Sequence, residues 1–319
     1  MTDSRGLADR EDNSVFLRPS REAVWETGTY ESHDSVSVSY CKSVSASHLP
    51  KFVFLHGLLG AGPVLLPLLT DLTDRYQIFL PDARGHGHSG RIPTSSFTME
   101  NLVQDALDAI QCFAARQPVF LAGHSMGAST AARVAKLYPD YVTAVVLEEP
   151  PWLREEGHPV VPRNQKENSS GKSGGKGGSK GPGAGGGGFN PLAYAEKVQE
   201  MSEEEFQSAH REELNMQLPS HAYSMAQSLR LIQCDIIEPS FRATDDVINE
   251  AVTGIQVPSL LQVGLKGGHC QSNVAEKTCA TWQKGKISRW QNAGHVPHTD
   301  KGPWLKEVDD FFQSCLLIQ

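Results

Sequence analysis

Five short stretches of this chain are apolar at nearly every position, and they constrain its fold more than any other feature: residues 51–56, 76–80, 118–122, 143–147 and 258–263. A strand with one face in water alternates apolar and polar residues. One that is apolar throughout must be covered on both faces, as in a parallel sheet packed between helices. Helical spacing lies between these runs. Over 99–115, Leu102, Val103, Ala106, Leu107, Ile110 and Phe113 share one broad face, and 126–137 is small and apolar. Such helices supply right-handed crossovers from strand to strand. Residues 35–40 alternate cleanly and predict an antiparallel edge strand. The fold class expected is therefore α/β, a mostly parallel sheet flanked by helices.

From 151 to 256 the rhythm changes to helices without strands. Helices are expected over 191–201, 202–215, 221–233 and 245–255, the second opened by a capping box of Ser202 and Glu205. An all-helical insertion followed by a return to the sheet reads as a lid. The chain thus divides into a first core part at 1–150, a helical cap at 151–256 and a second core part at 257–319. Within the cap, glycine fills 11 of the 20 positions from 169 to 188. That composition cannot repay the entropy of ordering, so a disordered loop is expected there. After 263 the sequence predicts a helix near 273–282, a strand at 286–290 and a closing amphipathic helix at 303–316.

Charge and cysteine content narrow the function. With 29 Lys+Arg against 37 Asp+Glu the net charge is −8, which argues against nucleic acid or an anionic membrane as partner. No apolar run approaches the roughly 18 residues of a membrane helix, and the first fifteen residues do not read as a secretory signal. Six cysteines without paired spacing fit a reduced, cytoplasmic setting. His269, Cys270 and Cys279 form one cluster where structural zinc sites have two ligand pairs, so no metal is expected, and no cofactor.

The strongest chemical signal is Gly123-His124-Ser125-Met126-Gly127, set between a predicted strand and a predicted helix. In that context G-x-S-x-G is a tight turn that exposes a serine hydroxyl. The hydroxyl needs a base, and His295, after the last strand in Asn292-Ala293-Gly294-His295, stands where a loop would hold one. His298 is its nearest competitor. An oxyanion formed on attack needs two backbone N–H donors. Met126 follows the serine, and Leu58 lies in His56-Gly57-Leu58-Leu59-Gly60 after an earlier strand. His56 reads as structural.

These motifs, with Pro81-Asp82-Ala83-Arg84-Gly85-His86-Gly87-His88-Ser89-Gly90, resemble the α/β-hydrolase superfamily. The resemblance covers roughly 50–150 and 257–315, and implies the α/β-hydrolase fold with a helical cap inserted after the sixth strand. It implies a structural role for the loop of Asp82. One departure stands out. Many relatives carry an acid after the strand matching 258–263, in a G-x-x-D setting, yet no Asp or Glu occurs from 251 to 275. Glu148 and Glu149, at the end of the preceding run, offer the acid instead, in a placement similar to that of zearalenone lactonases and one subgroup of haloalkane dehalogenases. Successive strand residues face opposite ways, so one of the pair is expected to reach His295. Counted from the apolar strand core, Glu149 falls at the position of those similar proteins and is the choice, with Glu148 the alternative. The resemblance then implies a serine hydrolase acting through Ser125, Glu149 and His295 on an ester, lactone or related carbonyl compound of apolar character. Trp152, Leu153 and Tyr194 would give its pocket an apolar bias or serve equally as core of the cap. A C–C bond hydrolase with the same residues, or a ligand receptor on the same fold, are the alternatives.

Overall fold

The computed structural model describes residues 25–151, 191–210, 221–238 and 252–317. Its centre is an eight-stranded sheet: β1 (Trp25–Glu31), β2 (Ser37–Ser43), β3 (Lys51–Leu55), β4 (Gln77–Pro81), β5 (Val119–His124), β6 (Val142–Glu148), β7 (Ser259–Gly264) and β8 (Gly285–Trp290). The strand order is β1-β2-β4-β3-β5-β6-β7-β8. From β4 onward every pairing is parallel, while β1 and β2 run antiparallel.

The apolar runs become β3 to β7, and the reason for their composition is visible in their surroundings. Helices α1 (Met99–Ala114) and α2 (Met126–Leu137) cover one face of the sheet. Helix α7 (Lys301–Leu316) covers the other, stacking Phe312 on Phe120 with ring centroids 4.4 Å apart and driving Trp304 against Phe54. The α2 side is built from small residues, since Ala128, Ala131, Ala132 and Ala135 have no exposed surface and let the helix lie close to the strands. Helix α1 starts at Thr98, whose hydroxyl accepts from the Asn101 N–H at 3.2 Å.

Between β6 and β7 come α3 (Pro191–Glu200), α4 (Glu203–Ala209) and α5 (His221–Leu229), followed after β7 by α6 (Ser272–Cys279). The capping box at Ser202 and Glu205 is formed. Ala195, Val198, Phe206, Ala226, Leu229, Ile232 and Ile237 make a small core of their own, and Leu58 and Leu59 of the sheet loops pack against it. Gln233 ties this unit to the main body: its side-chain amide bonds both the N–H and the carbonyl of Ile92, at 2.9 and 2.7 Å.

Two expectations need correction. The alternating strand near 35–40 is β2, and it is not an edge, because β1 pairs along its whole length. Strand β1 reads WETGTYE, with no residue fully buried, so an exposed edge gave the sequence almost no apolar signal to carry. The closing helix begins two residues earlier than expected, at Lys301. The expected loop at 169–188, with Trp152, Leu153, the helix end at 211–215 and most of 245–255, lies outside the described residues.

Candidate active site

Strand β5 delivers Ser125 at its end, in the turn before α2, with φ 52° and ψ −116°. A positive φ is strained for most residues other than glycine, serine included. The turn closes because Gly123 and Gly127 lack side chains: a Cβ on the first would run into the carbonyl of Gly127, and on the second into that of Leu55. Of the five non-glycine residues with positive φ among those described, Leu59, Ser125 and Glu149 all belong to this region. Such clustering of strain is a common mark of a working site.

His295 stands on the loop after β8. Its Nε2 lies 3.0 Å from Ser125 Oγ, and its Nδ1 lies 3.4 Å from Glu149 Oε2. The serine hydroxyl can donate to Nε2 only if the ring proton sits on Nδ1, where the carboxylate accepts it. The His295 side chain keeps 25 % of its surface exposed, and Glu149 none. Burial, with His269 and His298 beside it, holds the imidazole of His295 well below the ordinary histidine range.

The Glu149 carboxylate rests in a cradle. It accepts from the backbone N–H groups of Gly264 at 2.6 Å, His269 at 2.6 Å and Cys270 at 3.3 Å. Burial pushes the carboxyl upward, and those three N–H groups pull it back. The loop from Gly264 to Cys270 wraps this tightly because Gly268 has no Cβ; one would fall 2.5 Å from Glu149 Oε1. The ring of His269 meets that of His295 edge to face at 3.9 Å. The β7 loop, which contains no acid, thus supplies donors to the acid of β6. Sequence reasoning missed this role, for backbone N–H groups carry no residue code. The paired glycines Gly267-Gly268 were the available hint.

Glu148 does not face His295. It is fully buried and is taken by His298, through the backbone N–H at 2.7 Å and Nδ1 at 2.7 Å. His124, the residue before the serine, places Nε2 2.8 Å from the His295 carbonyl.

The residues expected to serve an oxyanion lie in the two loops next to the serine. Met126 opens α2, where first-turn N–H groups have no acceptor within the helix. Leu58 follows Gly57, and a Cβ on Gly57 would lie 3.3 Å from Cβ of Ser125, so this loop runs past the serine. His56 is engaged elsewhere, its Nδ1 2.8 Å from the Gly57 carbonyl and its Nε2 accepting from the Ala83 N–H at 2.9 Å. Asp82 accepts from Gly62 and His88, at 2.7 and 2.9 Å, and holds the two loops together. Arg84 is buried and bonds Asp105 through Nε and Nη2, both at 2.6 Å. These contacts are those of a scaffold.

The six cysteines are free thiols, Cys270 and Cys279 included. Among the described residues one group of acids and histidine could share an ion, His33, Asp105 and Asp108. Arg84 already occupies both oxygens of Asp105. No helix among the described residues is long and apolar enough to cross a membrane.

Residues 50–163 match the family model of the alpha/beta hydrolase fold. In sequence the chain is 33 % identical over 108 residues to 2-(acetamidomethylene)succinate hydrolase of Mesorhizobium japonicum, covering 34 % of this chain and 38 % of that protein. It is 39 % identical over 74 residues to protein phosphatase methylesterase 1 of Candida albicans, covering 22 % of this chain and 20 % of that protein. The matches thus span well under half the length of these curated relatives. In structure it superposes on the N-formylmaleamic acid deformylase of Pseudomonas putida S16 with TM-score 0.68 and 15 % identity, covering 89 % of this chain and all of the other. The fold of the chain is thus the α/β-hydrolase fold, and residues 50–163 carry its sequence pattern.

Proposed function

We propose that this protein is a serine hydrolase that cleaves an ester, lactone or related carbonyl compound through an acyl-enzyme. The observation that carries the reading is the line of contacts from Ser125 Oγ to His295 Nε2 at 3.0 Å and from His295 Nδ1 to Glu149 at 3.4 Å. As Ser125 attacks the carbonyl carbon, His295 takes its proton. The buried Glu149 holds the ring in the required tautomer and offsets the charge of the imidazolium. The carbonyl oxygen becomes an anion facing the N–H groups of Leu58 and Met126. His295 then returns the proton to the leaving alcohol, and water repeats the sequence to free the acid. No cofactor enters these steps.

The helices between β6 and β7 would serve as a cap, and their contact with Leu58 and Leu59 gives the approach to the serine an apolar wall. A small apolar substrate suits it. The hydrolase names of the relatives support the same reading. A fluorophosphonate probe tests it, because an activated serine attacks phosphorus as it attacks a carbonyl. Intact-mass analysis should show one adduct, on Ser125, and Ser125→Ala should lose both the adduct and turnover on a panel of aryl esters and lactones. A mutant that still turns over, or a wild-type protein that is stabilised by ligands and forms neither adduct nor product, would overturn the proposal.

A further inference from the structure

Two successive glutamates at one strand end carry out different tasks here. Strand β6 ends at Glu148, and the backbone turns at Glu149, whose φ is 48°. Glu149 meets the His295 ring, while Glu148 turns beneath the same loop and accepts from the N–H of His298 at 2.7 Å, with the His298 Nδ1 also at 2.7 Å. On the adjacent strand His124 stands directly beside Glu148 in register. Its Nε2 lies 2.8 Å from the His295 carbonyl, which can only accept, so that nitrogen carries a proton. The loop is thus tied at His295 by β5 and at His298 by β6. The His298 ring is closed in edge-on by His124 at 5.1 Å and by Phe54 at 6.4 Å.

We propose that Glu148 and His298 form a positioning pair, which with His124 holds the 295–298 loop so that His295 stays between Ser125 and Glu149. The inference rests on the hydrolase reading above. A fully buried carboxylate is a costly way to fill space, and apolar side chains of the same volume would do so at lower cost. What apolar contacts do not provide is direction. Hydrogen bonds from one rigid strand to both the backbone and the ring of His298 fix the loop in translation and rotation. The tolerance of a reacting histidine is a fraction of an ångström.

The test uses the full chain and three variants: His298→Leu, which removes the ring's bond to Glu148 and leaves the backbone one; His298→Asn, whose amide nitrogen can stand where Nδ1 stands; and Glu148→Gln. Five quantities are read: the rate of fluorophosphonate labelling at Ser125, kcat and KM on the best ester found, Tm, and the far-downfield proton resonance of the His295 ring N–H. His298→Leu should lower labelling and kcat together by about ten- to hundred-fold, the usual order for misplacing a reacting group by about 1 Å, with KM changed less than about two-fold. The His295 resonance should shift or broaden. His298→Asn should recover most of the lost rate, and Glu148→Gln should fall between the two.

If His298→Leu and Glu148→Gln label at the wild-type rate with the His295 resonance unmoved, the positioning role is wrong while the hydrolase reading stands. If His298→Asn fails as badly as His298→Leu, with losses that simply follow Tm, the pair only supports the fold and the proposal is overturned. A wild-type protein that does not label at Ser125 removes the reading on which the proposal rests, and that is seen before any variant is made.

Discussion

The ends of β6 and β7 lie side by side, Glu148 opposite Gln262, and they are opposite in chemistry. Strand β6 closes on two carboxylates, whereas the loop after β7 has none from Gly264 to Cys270. Together they form one anion site, with the carboxylate of Glu149 from the first and three N–H donors from the second. On the proposed reading, the imidazole of His295 needs an oxygen at one point in space, and either strand end could supply it. Neighbouring strands run only about 4.8 Å apart, so a glutamate from one can occupy the place that a shorter acid would reach from the other.

The largest expected effect comes from taking the charge off the β6 side. Glu149→Gln keeps the volume and removes the negative charge facing His295, and the loss of the equivalent acid in a serine protease costs about 10⁴ in turnover. A fall of roughly two to four decades in kcat is expected from steady-state assays. A loss below about ten-fold would break the comparison, because Glu149 would then be no partner of the histidine.

Next is the β7 side. Gly268→Ala leaves every polar group in place and brings a methyl group 2.5 Å from Glu149 Oε1, so either the cradle or the carboxylate must move. A drop in kcat/KM of about ten- to hundred-fold, with the protein still folded by circular dichroism, is the expected outcome. Unchanged kinetics would mean that the three N–H contacts do not position the acid.

A rescue sharpens the comparison further. Gly267 has φ +78° with open space around it, and aspartate is among the few side chains that tolerate such a backbone. In a Glu149→Gln background, Gly267→Asp should recover about ten-fold of the lost turnover if the two strand ends are interchangeable sources of one oxygen. No recovery at all would show that they are not.

The smallest effect is on pH dependence. Only neutral His295 can take the serine proton, so activity is lost as pH falls through its pKa. Burial and the neighbouring imidazoles of His269 and His298 hold that pKa below the ordinary range. The acid limb of kcat/KM, which reports the free enzyme, should therefore lie below the unperturbed histidine value of about 6.5. A limb at or above that value would indicate that the Glu149 carboxylate outweighs burial.

Much of this was legible in the residues themselves. Strands covered on both faces must be apolar throughout, so β3 to β7 declared themselves, and a strand-turn-helix with glycines two residues either side of a serine admits few geometries. The edge strand β1 did not declare itself. An exposed strand is held by backbone hydrogen bonds to β2, which any sequence can make. His269 and Cys270 are of metal-ligating residue types, but as one cluster they gave no metal site and no other role. In the structure their backbone N–H groups hold Glu149, and side-chain identity says nothing about that role.

By itself, then, the sequence determined the parallel sheet, the turn that presents Ser125 and the place of His295 after the last strand. Each follows from local rules of burial, backbone freedom and chain order. Only the tertiary structure decided which of two adjacent glutamates turns toward His295, and that the acid-free β7 loop closes around it. The period of two along a strand says that Glu148 and Glu149 point apart, but which one points to the histidine depends on where β6 ends relative to β5 and β7. That registry is set by packing between strands distant in the chain, and no local pattern encodes it.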